Sequence, residues 1–211
     1  MASLFLFLAF VVVSGVAEYV VPSVWPMPSE MSIGGVSIFV SKGLVINTNN
    51  GVRIETLESA YERYRGLIFN HVFSDENVSP LASGMTVTVK DISEEYPQLD
   101  TDESYHLDIS DNGTISMTAE TVYGVLRGLE TLSQLVFYDY DQGAYVIAAC
   151  PISISDKPRY PHRGLLLDTS RHFQPLKELQ RTIDALSYAK YNGKSSCNVT
   201  VLCCNCLVQS P

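Results

Sequence analysis

The sequence predicts an α+β domain, a sheet with helices on one face, followed by a single βα unit too small to be a domain. Three observations carry that expectation. Apolar and polar residues alternate with period two over Met85–Lys90 and Tyr105–Ile109, as in half-buried strands. Apolar residues recur at helical spacing over Glu55–Phe69 and Thr121–Phe137, the stripe of a helix packed on one side. Gly164–Asp168 is a continuous apolar run ended by a carboxylate, as expected of a parallel strand covered on both faces.

In chain order, Val24-Trp25-Pro26-Met27-Pro28 predicts an extended lead-in, because proline fixes φ and moves its predecessor away from helix. Two short strands are expected at Val36–Val40 and Gly43–Ile46. In the first helix Leu57, Tyr61, Tyr64 and Ile68 form the apolar stripe. The strand at 105–109 meets Ser110-Asp111-Asn112-Gly113, whose Asn-Gly is the strongest short hairpin signal, and a strand follows at Thr114–Thr118. The second helix places Val122, Val125, Leu129, Leu132 and Val136 on one face, and Gly124 and Gly128 would let it approach the sheet. Ile152–Asp156 predicts a last short strand, and the proline-punctuated stretch to Pro161 marks the boundary. Beyond it Pro175 is placed for the first position of a helix carrying Leu176, Leu179, Ile183 and Leu186 as far as Tyr191. The expected units are 22–155 for the α+β domain and 160–192 for the βα unit, with a divergent tail at 193–211.

At the amino terminus, the apolar run Leu4–Val13 followed by Ser14, Gly15 and Ala17 predicts a signal peptide over 1–17 and a secretory route. The run is too short for a stable membrane span, which needs roughly 20 apolar residues. Net charge is −9, with Lys and Arg numbering 14 against 23 Asp and Glu. No cationic patch appears, which argues against nucleic acid as a partner. Acceptor sequons start at Asn77, Asn112 and Asn198; Pro80 follows the first, so Asn112 is the strongest glycosylation candidate. Cys150 stands alone, and Cys197, Cys203, Cys204 and Cys206 crowd the tail without the paired spacing of a zinc site. His71, His106 and His162 are scattered. Neither a metal nor another cofactor is expected.

Tyr160-Pro-His-Arg-Gly-Leu-Leu-Leu-Asp-Thr-Ser-Arg-His-Phe173, continued by Leu186-Ser-Tyr-Ala-Lys-Tyr-Asn192, resembles the start of the (β/α)8 catalytic barrel of the family 20 β-N-acetylhexosaminidases. Upstream, Trp25-Pro-Met-Pro28, Asp102-Glu-Ser-Tyr105 and Thr121–Leu135 resemble the α+β domain that precedes that barrel. The resemblance implies hydrolysis of terminal β-linked N-acetylhexosamine by a substrate-assisted route. In that route the substrate's acetamido oxygen attacks the anomeric carbon, an Asp orients the acetamide and an adjacent Glu protonates the leaving oxygen. Both acids belong to a later barrel strand, so none of the 211 residues is expected to be catalytic. After Asn192 the sequence departs from the family pattern at Gly193-Lys194, for which a retained intron and a frameshift are the rival explanations.

By the same resemblance Arg163 is expected to hold sugar hydroxyls with its planar fork of donors, although it precedes the strand whose carboxyl end would face a barrel site. Asp168 and Arg171 stand at that carboxyl end and are expected to support the site, to pair with each other, or to cap the next helix. His172 is expected to pack or hydrogen-bond, and Asp100, Asp102 and Glu103 to form a solvated turn. Beside an enzyme family member without its chemistry stand two alternatives, a non-catalytic module that associates with a full-length partner and a product that misfolds.

Overall fold

The computed structural model describes residues 22–48, 51–71, 81–169, 171–196 and 199–201. The expected signal peptide, the sequons at Asn77 and Asn198, and Cys197, Cys203, Cys204 and Cys206 lie outside the described residues.

The two runs expected as separate strands form one long strand, β1 (Glu30–Thr48). Its first part pairs antiparallel with β6 (Ala144–Asp156) and its last residues pair parallel with β2 (Ala82–Asp91). The register shifts between Val40 and Val45, at the gap between the two expected strands; a bulge there bends the strand without ending it. The hairpin signal is realised as β3 (Tyr105–Ile109) and β4 (Ile115–Thr121), with Gly113 at φ 85° in the turn. A side chain at Gly113 would also meet the backbone of Leu81. The sheet runs β1-β2-β4-β3-β6, continued by β5 (Val136–Asp139), and the β1–β6 pairing closes the first five strands on one another. Two corrections belong here. The helix expected to reach Phe137 stops at Leu135 and becomes β5, and the short strand expected at 152–156 is the end of the 13-residue β6.

Two helices cover one face of this sheet. In α1 (Glu55–Ile68) the stripe Leu57, Tyr61, Tyr64 and Ile68 is buried as its spacing predicts, and Ala60 joins it. Glu94 caps the helix from a loop, accepting the Thr56 N–H at 2.6 Å, where a carboxylate is favoured by the exposed N–H groups and the helix dipole. In α2 (Val122–Leu135) Thr121 is the N-cap. A Cβ on Gly124 would lie 2.2 Å from the Ser104 carbonyl oxygen, and one on Gly128 would lie 2.6 Å from Met117. Both glycines therefore set how closely the helix meets the strands. Leu57, Leu107, Ile109, Val125 and Ile147 are fully buried, and each such side chain contributes about 1.5–3 kcal/mol relative to exposure.

Past Asp156 comes a second, smaller sheet. β7 (Gly164–Leu167) leads to α3 (Leu176–Tyr188), with Pro175 as N-cap rather than first helical residue. The chain returns as β8 (Gly193–Ser196), parallel to β7, and β9 (Val199–Val201) pairs antiparallel with β8. Strand geometry thus continues past Asn192, where the sequence departs from the family pattern. No residue of α3 is buried, and Leu166, Phe173 and Leu176 are exposed.

Candidate functional site

The polar side chains that sequence reasoning scattered over three segments converge where the βα unit meets the α+β domain. Glu103 is only 8% exposed and is not part of a solvated turn. Asp100 and Asp102 are exposed, and Asp102 turns the chain by accepting the Ser104 N–H at 2.7 Å. That turn points Glu103 inward to meet Arg127 Nε at 2.6 Å and Arg163 Nη2 at 2.5 Å. Asn192 donates to the other Glu103 oxygen at 3.2 Å. Burial alone would raise the Glu103 carboxyl, but Arg127 and Arg163 together outweigh it and hold it below the usual range.

A second ion pair lies beside the first. Lys190, with φ of 56° and 6% exposure, sends its ammonium to Thr131 Oγ1 at 2.8 Å, Tyr105 Oη at 2.9 Å and Asp156 Oδ2 at 3.2 Å. All three N–H bonds of an ammonium are thereby used. Burial lowers the Lys190 pKa, with Asp156 opposing. For Asp156 burial is again the largest influence, but Lys190 and the Ser29 N–H outweigh it and the carboxyl is held low.

The two pairs rest on one face of α2. Arg127, Glu130 and Thr131 are buried there, with Glu130 accepting Tyr64 Oη at 3.0 Å and Gln134 at 2.9 Å. Gln134 also exchanges two hydrogen bonds with the backbone of Trp25, which docks the lead-in. The apolar stripe of α2 was legible from spacing, and this polar stripe was not. Its signal was modest: one basic and one acidic residue are few for a solvated helix face.

Each side-chain nitrogen of Arg163 makes one hydrogen bond. Nε donates to Lys190 O at 2.9 Å, Nη1 to Tyr160 O at 2.8 Å and Nη2 to Glu103, while the Arg163 carbonyl accepts the N–H groups of Asn192 and Gly193. It sits at the amino end of β7. Asp168 and Arg171 lie at the other end, where Arg171 Nε meets Asp168 Oδ2 at 2.5 Å and the Arg171 N–H donates to Oδ1 at 3.1 Å. The Arg171 side chain is 82% exposed. His172 is exposed, His106 pairs with Asp108 on the surface, and the His162 ring lies over Gly164 and Gly193. Among the described residues no three His, Cys, Asp or Glu side chains converge as a metal would require, and no helix is long and apolar enough to cross a membrane. Burial pushes the Cys150 thiol up to about 11, away from the thiolate form that reacts.

Known proteins resemble both parts of the chain. Residues 24–135 match the family model described as beta-acetyl hexosaminidase like, and residues 160–193 match the catalytic domain of glycosyl hydrolase family 20. Beta-hexosaminidase subunit B2 of Dictyostelium discoideum is 40% identical over 172 residues, covering 81% of this chain and 30% of that protein. Beta-hexosaminidase 1 of Arabidopsis thaliana is 37% identical, covering 81% and 35%. The chitobiase of Flavobacterium johnsoniae superposes with a TM-score of 0.63 at 27% identity, covering 82% of this chain and 26% of that one. The chain thus spans about a third of the length of the curated relatives it matches.

Proposed function

Because the chain belongs to the family 20 β-hexosaminidases, we propose that its described residues form the scaffold on which a hexosaminidase barrel starts, and that hydrolysis of terminal N-acetylhexosamines depends on barrel residues outside this sequence. The boundary between the units falls at 156–159. Supporting this reading above all is the pair of buried ion bridges that tie β7 and the turn after α3 to the α+β domain, Glu103–Arg163 and Asp156–Lys190. A secretory route and a glycan at the exposed Asn112 belong to the same proposal.

For Arg163 the resemblance implied a hold on sugar hydroxyls. The geometry adds a positioning role, since Nε and one N–H of each terminal nitrogen have protein acceptors, and two of the five guanidinium N–H donors are left for sugar hydroxyls. Barrel sites form at the carboxyl ends of strands. Asp168 and Arg171 occupy that end, and a sugar contact is assigned to Arg171 because its side chain is 82% exposed.

The exposed faces of β7 and α3 support a second reading, a non-catalytic module that docks on a full-length hexosaminidase through Leu166, Phe173 and Leu176. One experiment tests the scaffold reading. The 211-residue chain and a chimera continuing after Asn192 with a relative's barrel are assayed on a chromogenic N-acetylglucosaminide, beside a host-only control. The scaffold reading expects background turnover from the chain and robust turnover from the chimera. In the chimera Arg171→Ala should lower kcat/KM by roughly tenfold or more, the cost of about 1.5–3 kcal/mol for losing a charged hydrogen bond. Arg163→Ala should lower stability and also weaken substrate binding in the folded fraction. Turnover by the chain itself would overturn the proposal.

A further inference from the structure

Five of the 14 Lys and Arg residues of this acidic chain line one cavity of about 330 Å³ at the junction: Arg127, Lys157, Arg159, Arg163 and Lys190. Asp156 is the single acidic residue on its wall, and it is already bonded to Lys190, Tyr105 and Ser29. Glu103 lies behind the wall between two guanidinium groups, and Glu130, held by Tyr64 and Gln134, does not line the cavity. Arg163 and Lys190 are largely consumed by these contacts, but Arg127 is not. It is 9% exposed, its Nε bonds Glu103, and neither of its terminal nitrogens has a partner among the described residues. Buried N–H donors without acceptors are costly. Lys157 and Arg159 stand exposed at the mouth, and the Arg159 guanidinium lies over the Tyr160 ring. The remaining wall is apolar, from Pro26, Met27 and Pro158.

We infer that this junction cavity binds a small divalent oxyanion, a phosphate or sulfate group free or carried on an ester, with the terminal nitrogens of Arg127 as the inner donors and Lys157 and Arg159 as the outer ones. Guanidinium groups suit such anions because parallel N–H bonds meet two oxygens at once. Two charges are favoured over one, since neither mouth cation makes a close ion pair among the described residues, Asp102 feeling the Lys157 charge only at longer range, and Arg127 shares Glu103 with Arg163. The inference does not depend on the proposal above. Both units contribute to it, so an anion bound there would also hold the βα unit in place.

Titration calorimetry of the purified 211-residue chain tests this, using sodium phosphate and sodium sulfate, with sodium acetate as the monovalent arm and sodium chloride holding ionic strength constant. Saturable one-site binding of phosphate or sulfate is expected, with acetate weaker by roughly tenfold. Lys157→Gln with Arg159→Gln, both exposed positions, should weaken binding by roughly tenfold or more. Arg53→Gln with Arg65→Gln removes the same charge from exposed positions elsewhere and should leave affinity within about twofold. A lack of saturable binding, equal losses in the two double variants, or acetate binding as tightly as phosphate would each overturn the assignment.

Discussion

Glu103 Oε2 lies 2.5 Å from Arg163 Nη2, joining residues 60 positions apart and the two units of the chain. The same oxygen receives Arg127 from α2, so one buried carboxylate balances a helix of the first unit and the strand entry of the second. Lys190 repeats the arrangement from the other end of the βα unit, reaching Asp156, Tyr105 and Thr131. Between these two anchors no residue of α3 is fully buried. The βα unit is thus held by its ends.

This suspension sets where the folded chain should be cut. Limited trypsin digestion should cleave first at Arg171, Lys177 and Arg181, which are exposed, and should leave the α+β domain intact. Lys190→Ala should speed those cuts severalfold. Early cleavage at Arg127 would contradict the expected order.

Acid should loosen the junction. Glu103 and Asp156 are held below their usual range despite burial, by Arg127 with Arg163 and by Lys190 respectively. A carboxyl depressed on folding contributes stability that is present above its unfolded pKa, about 4.3 for Glu and about 3.9 for Asp, and that is lost as pH falls through the folded value. Glu130 has the opposite sign, because burial raises its carboxyl; its contribution is present below about 4.3 and fades as pH rises through the folded value. Urea midpoints of wild type, Glu103→Gln and Glu130→Gln between pH 3 and 7 should show the fall below about pH 4 reduced in Glu103→Gln. Glu130→Gln should narrow the difference between pH 4 and pH 7. A Glu103→Gln profile parallel to wild type would count against the account.

The close approach of α2 to the sheet is tested at Gly124. An added methyl would lie 2.2 Å from a backbone carbonyl that cannot rotate away. Gly124→Ala should destabilise by about 1–3 kcal/mol, as overpacking does, although alanine is the better helix former by about 1 kcal/mol. Urea denaturation measures the net sign, and a stabilised variant would show that the contact relaxes freely.

Much of the fold was legible in the sequence because periodicity records which face is buried. Leu57, Tyr61, Tyr64 and Ile68 announced α1, and Asn112-Gly113 announced the β3–β4 hairpin. β5 was missed because Val136 continues the helical spacing of α2, so the switch from helix to strand leaves no mark in the apolar pattern. For β6 only Ile152–Asp156 was expected, whereas residues on both sides of Pro151 pair with β1. The junction was illegible for a different reason. Glu103 sits beside Asp100 and Asp102 in a polar stretch, and nothing local distinguishes a carboxylate facing two arginines from one facing water. Only the pairing of β3 with β4 and the packing of α2 above them bring Arg127 to it. For Arg163, the family motif marked the residue, but its partners lie on segments 60 and 27 residues away.

The claim that Glu103 and Arg163 join the two units is tested most directly by a double-mutant cycle of Glu103→Gln, Arg163→Gln and both together, followed by urea denaturation at pH 7 in low salt. Each single variant should be strongly destabilised, by about 3–5 kcal/mol where a buried charge is left without its partner. The double variant should be less destabilised than the sum by about 1–3 kcal/mol, the coupling typical of residues in one buried network. Additivity within about 0.3 kcal/mol, the behaviour of independent sites, would contradict the account.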